Sequence, residues 1–312
     1  MKQHTIKSSF SFKSKGLHTG LHIHATFSPA PPNTGIRICR TDLPDQPTYE
    51  ALADYVTATE RGTVLEYGAW KVSTVEHALS ALYAMHVDNC LIEVDGPEMP
   101  ILDGSTKYYV QSIEQVGLKQ QDAERKIYVV KEPIEYISER GNKMLILPCD
   151  HYEAGVTISY DKSGILREQS AEIKDLADYK RELSSARTFC FVREIEPLLR
   201  MGLIKGGDLQ NALVIYETSM SQEGLDYMTD KLGQPHLDAS KLGYLSPLNY
   251  PNEPARHKLL DLIGDISLCG FHIQGKIIAT KPGHTFNTQC CKQLRNKILA
   301  DKNFLNKFIT HI

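Results

Sequence analysis

The stretch KVSTVEHALSALYAMHVDNCLIEVDG, residues 71–96, changes its hydrophobic period once. From Ser73, the apolar residues Val75, Ala78, Leu79, Leu82 and Met85 recur at three- and four-residue steps, which predicts a helix with one buried face as far as about His86. NCLIEVDG then alternates apolar and polar residues, as a half-buried strand does. A helix that hands over to a strand implies a mixed fold in which helices cover sheets.

Upstream, TIKSSFSFKSKGLHTGLHIHATFSPAPPNTGIRICRTDLP alternates and is broken by PAPPNTG, which predicts antiparallel strands joined by a Pro/Gly turn. Downstream, PILDGSTKYYVQSIEQVGL predicts a turn and a second helix, and the polar run KQQDAERK at 119–126 precedes a new strand pattern, IYVVKEPIEYI. A domain boundary is placed there, giving domains at 1–122 and 127–312. The second half repeats the order of the first in outline: short strands, helical segments near 191–212 and 252–268, then the strand GKIIATK. The fold class expected is α+β, two domains that each pack a sheet on helices.

At 312 residues the chain is long enough for two such domains, and 41% hydrophobic with 23% charged residues is the balance of a globular protein. With 35 basic and 38 acidic residues interspersed, no overall field favours nucleic acid. No run reaches the roughly 20 apolar residues of a membrane helix, and the N-terminus has no signal-peptide core, so the expected location is the cytoplasm. The seven cysteines are odd in number and form no CxxC pair, which argues against a disulfide framework or a cysteine-rich zinc module.

The chemistry-bearing residues lie in three pieces. In NEPARHKLLDLIGDISLCG, Pro254 suits a first helical turn, and His257, Asp261 and Asp265 fall at i, i+4 and i+8 on one stripe. A His nitrogen and a carboxylate oxygen four residues apart suit Zn²⁺ at about 2.0–2.2 Å, although the same spacing marks an ordinary solvated pair. His77 is the candidate third ligand, which would leave a fourth tetrahedral position open, and its neighbour Glu76 is a candidate general base. Against that, Ser73-Thr74-Val75-Glu76 matches a capping box, in which Glu76 would only tie down its own helix. In KIIATKPGHTFN, a strand and a Pro-Gly turn deliver His284 to a loop tip, where it could protonate a leaving amine.

Taken together, the motifs SKGLHTG, ERGTVL, STVEH, DNCLIEVDGPEMPILDGS, SSARTF, GLIKGG, NEPARHKLLDLIGD and KPGH, in that order over nearly the whole chain, resemble the UDP-3-O-acyl-N-acetylglucosamine deacetylases, zinc amidases of lipid A synthesis. The resemblance implies an active site between two similar domains. It implies that His77, His257 and Asp261 hold Zn²⁺, that Glu76 is the general base and that His284 is the general acid. Thr188 would help hold the oxyanion, and Asp265 would orient His284. Leu17, Phe189, Lys258 and Lys281 would meet the substrate, the lysines suiting its diphosphate. An insert at REIEPLLRMGLIKGG, around 191–215, would line a tunnel for the acyl chain.

Fe²⁺ also suits two histidines and a carboxylate. Some members of the family continue into a fused dehydratase domain, so a second enzyme domain beyond residue 312 is compatible with the resemblance. Two other functions stay open on sequence alone: a zinc amidase for another acylated or N-acetylated sugar, and a non-catalytic sugar-nucleotide or lipid-binding protein.

Overall fold

The computed structural model describes residues 1–160, 163–195, 206–207, 210–231 and 233–309. Period-two alternation builds its first sheet: in β3 (His22–Pro29), Ile23, Ala25 and Phe27 turn inward and their neighbours outward. This strand pairs antiparallel with β2 (Phe10–Lys15) and with β9 (Cys90–Val94). The far side of β9 pairs parallel with β4 (Ile36–Arg40), which forms an antiparallel pair with β5 (Thr48–Glu50). The order is β2-β3-β9-β4-β5, with β9 in the middle. A small antiparallel sheet, β6 (Val56–Ala58), β7 (Val64–Tyr67) and β8 (Trp70–Val72), lies between β5 and the first helix in the chain.

The second half repeats this order. β12 (Ile134–Ile137) and β13 (Lys143–Leu147) are antiparallel, β13 pairs antiparallel with β19 (His272–Thr280), β19 pairs parallel with β14 (Tyr152–Ser159), and β14 pairs antiparallel with β15 (Glu168–Ile173). An added strand, β11 (Ile127–Val129), pairs parallel with the start of β19. Each central strand is flanked by helices in the chain: α1 (Glu76–Ala84) and α2 (Lys107–Val116) around β9, and α4 (Glu253–Ser267) and α5 (His284–Ala300) around β19. The fold class read from the sequence is the one found.

The two halves meet where α1 packs on α4. Leu79 and Leu82 of α1, Leu259 and Ile263 of α4, and inward residues of both large sheets belong to one buried cluster. The helix axes come close because Gly264 has no side chain: a Cβ there would lie 2.2 Å from the Glu76 carbonyl oxygen. Among the described residues, no helix is long and apolar enough to cross a membrane.

Three details differ from the sequence reading. The first helix is shorter at both ends than the 73–86 expected, because Thr74 (φ +58°) and His86 (φ +60°) adopt left-handed backbone that cannot continue a right-handed helix. The polar run at 119–126, chosen as a boundary, is mostly strand: β10 (Leu118–Glu124) pairs antiparallel with β1 (Lys2–Ile6), so the chain's start is tied to the point where the second half begins. Of the helix expected near 191–212, residues 192–195 are helical, 206–207 and 210–212 are not, and short strands flank the segment. β16 (Phe189–Phe191) and β17 (Leu213–Tyr216) pair in parallel, and β18 (Gly243–Tyr244) joins them. This small sheet has its own core, in which Val214 and Tyr216 meet Leu225 and Met228 of α3 (Gln222–Lys231). Of the expected acyl-chain insert around 191–215, residues 196–205 and 208–209 lie outside the described residues.

Candidate active site

His77 is the second residue of α1, and His257 and Asp261 lie one turn apart on α4, so the α1–α4 crossing brings together donors from both halves. Asp261 Oδ1 is 3.3 Å from His257 Nε2 and 3.7 Å from His77 Nε2. All three residues are buried, and their donor atoms lie within 4.8 Å of one another.

The protonation states suit cation binding. Burial, reinforced by His257, lowers the His77 pKa to about 3, and burial also lowers that of His257, so both imidazoles are neutral with lone pairs available. His257 Nδ1 lies 3.0 Å from the Ala186 carbonyl oxygen, which fixes the proton on Nδ1 and leaves Nε2 facing Asp261. For Asp261, burial opposes the charged form, but His257, Lys258 and His284 outweigh it and hold the pKa below the ordinary carboxylate range. Its Oδ1 is fully buried and has no hydrogen-bond partner among the described residues. An ionised, unpartnered, buried carboxylate oxygen beside two neutral imidazoles is costly without a cation, so these residues fit a divalent metal.

Two further groups border the cluster. Glu76, the first residue of α1, does not cap its helix: Ser73 Oγ donates to the Pro97 carbonyl, while Glu76 Oε2 accepts the Thr63 N–H at 3.0 Å. The capping-box reading is thereby overturned. Burial raises the Glu76 pKa to about 7; His284 opposes this rise and the carboxylates of Asp261 and Asp265 add to it. His284 sits on the other side, with Nε2 3.9 Å from Glu76 Oε1 and 3.7 Å from Asp261 Oδ2. It is the first residue of α5 and not a loop residue, with Gly283 as its N-cap in extended backbone. Burial works against its charge, yet Asp265, Asp261 and Glu76 together raise its pKa to about 9. His284 Nδ1 donates to Asp265 Oδ2 at 3.0 Å, so the i+8 carboxylate of α4 orients the ring.

These groups open onto a cavity of about 600 Å³. Of the residues expected to meet substrate, Leu17, Thr188, Phe189 and Lys258 line it, whereas Lys281 does not. Lys258 Nζ donates to Asp261 Oδ2 at 2.8 Å and lies 5.5 Å from the centre of the Phe189 ring. Thr188 is held by its N–H to the Gly104 carbonyl at 2.8 Å. Gly104 (φ +77°) is required there, since a Cβ would fall 1.9 Å from the Asn211 carbonyl oxygen.

Sequence reasoning missed three buried positioning residues. Thr63 bonds to both Glu76 and Asp265. Asn287, one turn after His284, donates to Asp265 Oδ2 at 3.0 Å. Glu98 accepts the N–H groups of His18 and Thr19, each at 2.9 Å, and so fixes the loop that carries Leu17. Thr63 and Glu98 stand in motifs already singled out, ERGTVL and DGPEMP, but their partners are distant in sequence.

With this geometry in place, comparison with known proteins decides the family. A family model described as UDP-3-O-acyl N-acetylglycosamine deacetylase matches residues 3–239 and 236–296. The chain belongs to this family. A protein of Bacteroides thetaiotaomicron named bifunctional enzyme LpxC/FabZ is 55% identical over 301 residues, covering 96% of this chain and 65% of that protein. A protein of the same name from Porphyromonas gingivalis is 49% identical over 300 residues, covering 95% and 65%. The UDP-3-O-acyl-N-acetylglucosamine deacetylase of Myxococcus xanthus is 36% identical over 304 residues, covering 96% and 87%. The chain thus spans just under two thirds of the length of the two bifunctional relatives.

Proposed function

We propose that this chain is a metal-dependent deacetylase, with Zn²⁺ as its metal, that hydrolyses the N-acetyl group of UDP-3-O-(3-hydroxyacyl)-N-acetylglucosamine and releases acetate, an early step of lipid A biosynthesis in the cytoplasm. The observation that carries this reading is the unpartnered Asp261 Oδ1, buried between two neutral imidazoles and bordered by Glu76 and His284. Membership of the deacetylase family supports the substrate. The active site lies between the two proposed domains, 1–122 and 127–312. A second enzyme domain beyond residue 312 is part of the proposal, since two relatives are named bifunctional.

A Zn²⁺ ion held by His77, His257 and Asp261, or an Fe²⁺ ion on the same donors, would supply Lewis acidity and ease the ionisation of water. Glu76 accepts a proton from the attacking water as the water oxygen adds to the acetamide carbonyl carbon. Thr188 and protonated His284 stand at the cavity wall to stabilise the charge that develops on the carbonyl oxygen. His284 then gives its proton to the sugar nitrogen as the C–N bond breaks, and Asp265 holds the ring in position for the transfer. Leu17 and Phe189 supply apolar wall, and Lys258 a cation beside it, for an amphipathic substrate.

The test is acetate release from UDP-3-O-acyl-N-acetylglucosamine compared with UDP-N-acetylglucosamine lacking the acyl chain. The proposal predicts release from the first and little from the second. Equal rates would point to a less selective amidase, and binding without release would point to a non-catalytic binding protein.

A further inference from the structure

A second group of metal-ligating side chains lies away from the cavity, at the start of β14. The sequence there is CDHYE, residues 149–153. Along β14, Tyr152, Ala154, Val156 and Ile158 turn into the core, which puts His151 and Glu153 on the outward face. Cys149, two residues earlier, falls on the same side. Cys149 Sγ lies 3.6 Å from Glu153 Oε1, and His151 Nε2 lies 3.3 Å from the same oxygen. One donor atom from each of the three residues falls within 4.8 Å of the others.

Two of these spacings, Sγ–Oε1 and Nε2–Oε1, match a tetrahedral metal, and Sγ stands 3.8 Å from the other His151 nitrogen, Nδ1. Bond lengths of about 2.3 Å to sulfur and about 2.0–2.1 Å to nitrogen or oxygen place neighbouring donors roughly 3.3–3.6 Å apart. The surrounding contacts favour the same assignment. His151 Nδ1 faces Asp150 Oδ1, which fixes the proton on Nδ1 and leaves the Nε2 lone pair toward Glu153, the arrangement in which a carboxylate orients a metal-binding imidazole. Lys276 Nζ takes Glu153 Oε2 at 2.9 Å and leaves Oε1 for the metal side. Lys276 is the register partner of Glu153 on β19, so the sheet itself sets this division of the carboxylate.

We propose that Cys149, His151 and Glu153 form a second metal site, selective for a thiophilic divalent cation such as Zn²⁺, with water completing its coordination. One thiolate, one imidazole and one carboxylate favour Zn²⁺ over Mg²⁺ or Ca²⁺, which prefer all-oxygen donors. The site is separate from the candidate active site. It lies beside Lys276 on β19, and His284 follows the far end of that strand, so the strand alone puts roughly 13 Å between Lys276 and Thr280. Because the strand bearing Glu153 and the strand leading to His284 are paired, a metal here ties down the sheet that supports the catalytic histidine.

The test is titration of the reduced, metal-free full chain with Co²⁺, read in the near ultraviolet for thiolate-to-cobalt charge transfer. The candidate active-site donors include no sulfur, so this signal is independent of the deacetylase proposal and of any activity. The proposal predicts a band in the wild-type chain that saturates with bound cobalt, disappears in Cys149→Ser, weakens in His151→Ala and persists in Cys190→Ser, the variant of the cysteine that lines the cavity. It also predicts one Zn²⁺ fewer per Cys149→Ser chain than per wild-type chain. No band in the wild-type chain, a band unchanged by Cys149→Ser, or a band lost in Cys190→Ser would overturn it.

Discussion

Thr63 and Asp265, 202 residues apart in the chain, share a hydrogen bond of 2.5 Å in which the Thr63 hydroxyl donates to Asp265 Oδ1. The Thr63 backbone N–H donates to Glu76 Oε2. One buried residue therefore positions the proposed base directly and the proposed acid through Asp265. A hydrogen bond to a charged group is worth roughly 1.5–3 kcal/mol, or about 10- to 100-fold in rate where it acts in the transition state. Thr63→Val is expected to lower kcat by that order with metal content and KM little changed, and Thr63→Ser to restore it. Steady-state kinetics with metal analysis checks this; a Val variant with wild-type kcat would remove Thr63 from the machinery.

Glu76→Ala separates proton transfer from metal binding, because Glu76 lies outside the ligand set and does not cap α1. General-base catalysis contributes about 10²–10⁴-fold, so kcat is expected to fall by that much while the chain still binds one equivalent of metal at His77, His257 and Asp261. Acetate release within about tenfold of wild type would mean that another group takes the proton.

The pH profile follows from two raised pKa values with opposite requirements. In the proposed mechanism Glu76 acts when deprotonated, so activity is expected to fall as pH drops through about 7. In the same mechanism His284 acts when protonated, so activity is expected to fall again as pH rises through about 9. A bound divalent cation favours the carboxylate and disfavours the imidazolium, which moves both limbs to lower pH. In a profile of kcat/KM, His284→Ala is expected to flatten the alkaline limb and leave the acid limb in place; an unchanged bell would reject His284 as the acid.

Gly264 couples the fold to the site, since it lets α4 approach the backbone of Glu76. Gly264→Ala would press a methyl group on the Glu76 carbonyl, and overpacking of this kind costs about 1–3 kcal/mol. Calorimetry should show a fall in Tm of several degrees, with a loss of acetate release as the Glu76 carboxylate shifts. An Ala variant with unchanged Tm and rate would show that the helix pair has slack.

What the sequence made legible was whatever depends on local periodicity. The stripe His257, Asp261 and Asp265 needs only an α-helix to align it, and α4 spans Glu253–Ser267 close to the expected 252–268. The repeated strand order was visible in outline because both large sheets bury one face and so alternate. β10 escaped because it is an edge strand paired only with β1, with too few apolar residues to alternate. The sheet of β16, β17 and β18 escaped because its strands are two to four residues long, too short for a period. Thr63, Glu98 and Asn287 escaped for another reason: each works through a partner that only the tertiary fold brings near. Glu76 misled in the opposite direction, since its capping-box pattern is real in sequence but Thr74 turns the backbone away from a cap.

The central claim is that His77, His257 and Asp261 form a catalytic metal centre. Its most direct test is acetate release from UDP-3-O-acyl-N-acetylglucosamine before chelation, after chelation and after Zn²⁺ add-back, in the wild-type chain and in Asp261→Ala. The account predicts activity that is lost with the metal and restored by Zn²⁺ in the wild-type chain, and not restored in the variant. Full activity in the chelated, metal-free chain, or in Asp261→Ala, would contradict it.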